Sequence, residues 1–116
     1  MNTLRDKLFA RIIQVMTKKY FFLKLNPPRP TFTIDMTADE KKIMQSHVEY
    51  WKPFVNNGTV IVLGPVFDPN GGYGIAVIGV EDEKQVDLLI SQDPANGLNR
   101  YDVFPMRAVS NMIDNE

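Results

Sequence analysis

Residues 59–81, "TVIVLGPVFDPNGGYGIAVIGVE", decide the fold. "TVIVLGPVF" (59–67) and "YGIAVIGVE" (73–81) are β-branched and apolar, and "DPNGG" (68–72) between them is a turn, so the stretch reads as a hairpin. Downstream, Asp82 with Gln85 three residues on opens a helix with the apolar stripe Val86, Leu89 and Ile90; "DPANG" (93–97) ends it and "RYDVFPMRAV" (100–109) supplies a last strand. Upstream, "TADE" places Thr37 and Glu40 as a capping box. Ile43, Met44, His47, Val48, Trp51, Phe54 and Val55 follow it on one helical face. Pro53 deletes a bond to the Glu49 carbonyl and is expected to kink or end the last turn, with Gly58 where the chain leaves. "YFFLKL" (20–25) is a further strand, and "NPPRPTF" (26–32) is a stiff loop that its three prolines bar from helix or central strand.

The order βαββαβ is the ferredoxin-like split βαβ unit, an α+β fold with a four-stranded antiparallel sheet and two helices on one face. Before it, Leu4, Leu8, Ile12, Val15 and Met16 make residues 3–18 an amphipathic helix capped by Thr3. The chain divides into an N-terminal helical extension (1–19), the ferredoxin-like domain (20–109) and a C-terminal tail (110–116).

Strand composition raises a packing question. Val60 and Val62 point one way and Ile61 and Leu63 the other; Ile75 and Val77 oppose Ala76 and Ile78; Phe21 and Leu23 oppose Phe22. Both faces are apolar, more than the few hundred Å² or so that soluble monomers usually leave open. Either a second copy stacks its sheet on this one by two-fold symmetry, or the N-terminal helix folds over as a lid. One helix is narrow against four strands, which favours a homodimer through the sheet face.

Bulk composition narrows the function. The chain has 116 residues, 44% of them apolar and 23% charged, an ordinary single-domain mix. Thirteen Lys+Arg against fourteen Asp+Glu leave no basic excess for a nucleic-acid backbone. No cysteine excludes disulfides and thiolate chemistry, and a single histidine argues against structural zinc, so neither metal nor cofactor is expected. Arg5, Asp6, Lys7 and Arg11 break up any leader-like apolar run, so a cytoplasmic protein without a membrane segment is expected.

His47 is the best candidate for proton transfer, although a lone histidine on an apolar helix face is also common as hydrogen-bonded core. A base needs an orienting acceptor, and Asp93 at the end of the last helix can approach, since the two helices lie side by side on the sheet; Asp-Pro after a helix is equally a turn opener. Arg29 on the rigid "PPRP" loop is a candidate carboxylate clamp, and Asp68, Tyr73 and Arg107 are further candidate substrate contacts. Gly64, inside a strand, suggests a bulge. Trp51, Met36, Met44 and Met106 read as packing.

The ordered set of His47, Gly58, Gly64-Pro65, Asp68, a Gly-rich turn, an apolar strand and Asp93-Pro94 resembles the YCII-related (YciI-like) family. "YFFLKLNPPRPTF", "GPVFDPNGGYGIAV" and "GLNRYDVFPMRA" look like one subgroup of it, and the resemblance covers about residues 20–109. It implies a dimeric α+β barrel with a pocket in each subunit and a His/Asp dyad at His47 and Asp93. Some members resemble lyases or dehalogenating enzymes, and related barrels include muconolactone isomerases and monooxygenases. Three functions stay open: a cofactor-independent lyase or isomerase acting on a small organic substrate, whose anionic group Arg29 or Arg107 could meet; a non-catalytic metabolite-binding module; and an interaction protein using its N-terminal helix.

Overall fold

A computed structural model describes residues 3–9 and 18–109. The elements are β1 (Lys19–Asn26), α1 (Phe32–Asp35), α2 (Ala38–Asn56), β2 (Val60–Val66), β3 (Tyr73–Val80), α3 (Glu83–Ser91) and β4 (Arg100–Met106). All strand pairings are antiparallel and the spatial order is β2-β3-β1-β4, which is the ferredoxin-like arrangement. Both strand prolines, Pro65 in β2 and Pro105 in β4, fall on edge strands, where a missing N–H is tolerated.

Alternation along β1 sends Phe21, Leu23 and Leu25 to the helix-covered face. There Phe21 and Leu23 join Ala76, Ile78 and Val80 of β3, Val60 of β2, Trp51 of α2 and Val86 of α3 in one core. In α2 the rings of Tyr50, Trp51 and Phe54 meet one another at 5.3–5.8 Å between centroids, and the Tyr50 hydroxyl donates to the Leu89 carbonyl at 2.6 Å, pinning α2 to α3. The Thr37 capping box is formed in both directions.

Several expectations need correction. β2 carries its bulge at Ile61 rather than at Gly64: Val60 pairs with Ile78 and Val62 with Val77, so Val60 and Leu63 share the helix face while Val62 looks away. Helix α2 does not stop at Pro53 but runs three residues further, to Asn56. Val48 and Val55 are exposed, and Tyr50 takes the core position instead, because the core-facing stripe of α2 tilts toward α3. The strand before the proline loop extends to Asn26, and Phe32 opens a short helix, so the stiff loop is residues 27–31. The last strand ends at Met106 rather than at 109. At the N-terminus residues 4–9 are helical, and Thr3 caps them through the Asp6 N–H at 3.2 Å. Leu4 and Leu8 there are exposed, so this part of the helix does not cover the sheet. Ile12, Val15 and Met16 of the expected N-terminal helix, and the tail from residue 110, lie outside the described residues. No helix among the described residues is long and apolar enough to cross a membrane.

The β2–β3 turn closes against the proline loop. Asp68 Oδ1 accepts from the Asn70 N–H at 2.9 Å, and the Gly71 N–H donates to the Asp68 carbonyl at 3.0 Å. Gly71 has φ +137°, and a Cβ there would sit 3.1 Å from the Pro30 carbonyl oxygen. Gly71→Ala is therefore expected to cost about 1–3 kcal/mol, read as a lowered urea midpoint at unchanged slope.

Candidate functional site

The capping box fixes where α2 starts, and from that start Met44, His47 and Trp51, at i, i+3 and i+7, share the face turned to the sheet. Opposite them stand Leu23 and Leu25 of β1, Leu63 and Pro65 of β2, and Tyr101 of β4. Met36 and Phe32 close one side. Together these walls line a half-open cavity of about 290 Å³. Gly64, Gly72 and Gly74 line part of it and bring no side chain to fill it.

Asp93 lies behind the His47 wall and is 3% exposed. As the Asp-Pro reading anticipates, it is a turn residue: Oδ1 accepts from the Ala95 N–H at 2.8 Å. It is also the expected partner of His47, whose Nδ1 lies 2.8 Å from Oδ2 and 3.0 Å from Oδ1. Two further donors converge on Oδ2: Trp51 Nε1–H at 2.9 Å and the Tyr101 hydroxyl. Trp51 Nε1 also lies 3.2 Å from Tyr101 Oη. A carboxylate in this position accepts only, so each of the four groups turns a hydrogen toward it.

The electrostatics follow from that count. Burial on its own raises the Asp93 pKa, but the bonds from His47, Tyr101, Ala95 and Trp51 outweigh it and hold the carboxyl below its ordinary range. Burial, and then the adjacent Asp93 carboxylate, push the Tyr101 hydroxyl well above an ordinary phenol, so Tyr101 stays protonated. An ionised Asp93 fixes the tautomer of a neutral His47: Nδ1 carries the hydrogen and Nε2 the lone pair. Nε2 has no partner among the described residues, and no buried side-chain polar atom there is left unpaired, so Nε2 keeps access to solvent on a ring that lines the cavity.

The other sequence candidates stand elsewhere. Arg29 is no free anion clamp. Its Nη1 and Nη2 grip both oxygens of Glu40 at 2.9 and 2.7 Å, and its Nε donates to Asp35 at 2.9 Å. This fork pulls the Glu40 pKa down to about 2, with the Thr37 N–H bond adding to it. The guanidinium thus ties the proline loop to the start of α2 and does not line the cavity. Asp68 serves its own turn, away from the cavity. Arg107 is exposed beyond the end of β4, six residues or about 20 Å of strand from Tyr101. Tyr73 does border the cavity, with Lys24 Nζ 4.4 Å from its ring centre.

Three further residues belong to the site. Trp51, expected only to pack, also holds Asp93 through its N–H; a buried indole needs an acceptor, which is the signal its sequence carries. Tyr101 and Asn99 carried no local mark. Asn99 is 4% exposed, lines the cavity, and its Nδ2 donates to Met44 Sδ at 3.3 Å and to the Ala95 carbonyl at 3.4 Å. Among the described residues no cluster of three or more His, Asp or Glu is placed to hold a metal.

Asp93→Asn turns an amide N–H toward at least one of four donors. It is expected to cost about 1–3 kcal/mol at neutral pH by chemical denaturation. Because the folded pKa of Asp93 is lowered, its contribution is complete above the unfolded value of about 3.9 and lost as pH falls through the lower folded value. The gap between native protein and variant should therefore narrow below about pH 4 and stay constant above pH 5.

No family model and no curated protein matches the chain. Among solved structures it is similar to the uncharacterized protein TM1266 from Thermotoga maritima, with a TM-score of 0.51 and 13% identity, over 78% of this chain and 99% of that one. At this identity the likeness shows a shared α+β fold.

Proposed function

We propose that the protein is a small cofactor-independent enzyme of the lyase or isomerase type, in which His47 moves a proton at a carbon next to a carbonyl. The observation that carries this reading is the polarity of the ring: Asp93 accepts the hydrogen bond at Nδ1, and Nε2 keeps its lone pair on a ring that lines a half-open, largely apolar cavity. A positioned base of this kind contributes about 10²–10⁴-fold. Asp93 holds the tautomer and stabilises the imidazolium formed when Nε2 takes the proton. Trp51 and Tyr101 hold Asp93 in turn. Membership of the YCII-related family, which the ordered motifs resemble, belongs to the same proposal.

A second reading keeps the cavity and drops the chemistry. It is favoured by the number of donors on Asp93, which would be needed for a purely structural hub as well. Deuterium wash-in from D₂O into a panel of small cyclic ketones and lactones, followed by NMR, separates the two. Catalysed exchange that falls at least about 10²-fold in His47→Gln supports catalysis. Exchange that the variant leaves unchanged refutes the role of His47, and binding without exchange leaves the module reading.

The proposal includes a homodimer through the sheet face away from the helices. There one row runs Val62, Val77, Phe22, Phe104 across all four strands, with Phe104 52% and Val62 50% exposed. Phe22 and Phe104 rings lie 6.3 Å apart. A monomer would leave that row in water. Sedimentation at micromolar concentration is expected to give a dimer for the native chain and a folded monomer for Phe104→Asp. A native monomer would overturn this part.

A further inference from the structure

Between β1 and α2 the chain makes a strap, residues 27–36, that forms one side of the cavity. Pro27, Phe32, Thr33 and Met36 line it, and Phe32 is buried there. Within itself the strap is stiff. Pro27, Pro28 and Pro30 fix three φ angles. The Phe32 N–H donates to the Arg29 carbonyl at 3.2 Å, the Asp35 N–H to the Thr31 carbonyl at 3.1 Å, and Thr31 Oγ1 to Asp35 Oδ2 at 2.6 Å. Arg29 adds bonds to the Asp35 carboxylate and, at 3.0 Å, to its carbonyl, and the guanidinium lies 5.3 Å from the centre of the Phe32 ring.

Outward ties are few. Among the described residues the only hydrogen bonds that leave the strap are those of Arg29 to Glu40, at the start of α2. Against the β2–β3 turn the strap rests on two glycines without a hydrogen bond: a Cβ at Gly71 would stand 3.1 Å from the Pro30 carbonyl oxygen, and one at Gly72 would stand 3.2 Å from Thr33 Cγ2. Met36, extended at φ −53° and ψ 134°, is a one-residue joint between α1 and α2. The Arg29–Glu40 fork bridges that joint. Its arginine is one-third exposed, and an ion pair so placed is a weak tie that salt screens.

From this arrangement we infer that residues 27–36 are a gate to the cavity, a rigid strap that the Arg29–Glu40 fork latches and that swings away from Gly71 and Gly72 as one piece when the fork parts. Opening withdraws Phe32 and Met36 from the cavity side and widens access to His47 and Trp51. The gate governs entry whatever chemistry follows, so it goes beyond the proposed role of His47 and is tested without turnover.

The experiment is acrylamide quenching of the full-length protein. Trp51 is the sole tryptophan, is 1% exposed and lines the cavity, so the quenching constant reports how often the cavity opens. Glu40→Gln keeps a residue that serves the capping box and removes the ion pair. It is expected to raise the quenching constant at least about twofold. Raising KCl to about 0.5 M should raise the constant of the native chain and leave that of the variant unchanged. A second variant locks the gate. The chain has no cysteine, and the approach of Thr33 to Gly72 suits a disulfide, so Thr33→Cys with Gly72→Cys should join on oxidation. The oxidised form should quench less than its own reduced form, and adding Glu40→Gln to it should change nothing. An unchanged constant in Glu40→Gln overturns the inference. So does an effect of Glu40→Gln that persists in the locked form, since it would come from fraying of α2 and not from the strap. Failure of the two cysteines to join overturns it as well, because the strap would then not rest on the turn.

Discussion

The structure turns on one carboxylate placed where water cannot reach it. An ionised Asp93 in this position is unfavourable unless its oxygens are supplied with hydrogens, and three elements send four: His47 and Trp51 from α2, the Ala95 amide from the turn after α3, and Tyr101 from β4. The charge therefore locks a helix, a loop and an edge strand to a single point. The same demand orders the chemistry. Satisfying Asp93 uses one nitrogen of the imidazole and leaves the other without a partner among the described residues, so structural and functional readings of His47 describe the same hydrogen bond from its two ends.

Around that point the protein keeps its charges segregated. Arg29, Glu40 and Asp35 form an outer clasp between the proline loop and the start of α2. The clasp uses charge to position a loop, and among the described residues no cation lines the cavity. Rigid prolines and the short helix α1 then act as a bracket that keeps Phe32 and Met36 at the cavity side.

Much of this was readable in the residues. The hairpin, both helix starts and the ferredoxin-like order follow from local pattern and turn chemistry, which depend on neighbours within a few positions. The His47–Asp93 approach followed from the fold, because the fold sets the two helices side by side. What local pattern hides is long-range pairing. Trp51 and Tyr101 reach Asp93 across 42 and 8 positions, and nothing in the spacing marks a shared acceptor. Arg29 looked available because its acidic partners lie across a loop whose path the sequence does not specify. A single extra residue at Ile61 reversed the parity of β2, so Leu63 joins the cavity wall and Val62 the open face.

The two edges of the sheet have a consequence for how copies of the chain meet. On one border the irregularity at Ile61 and the ring of Pro65 interrupt the row of backbone donors, and on the other Pro105 does the same. Sideways growth by strand annexation, the route into fibrillar aggregates, is thereby obstructed at both margins. Contact by broad surfaces is left open, so the fold discourages endless ribbons while permitting closed pairs.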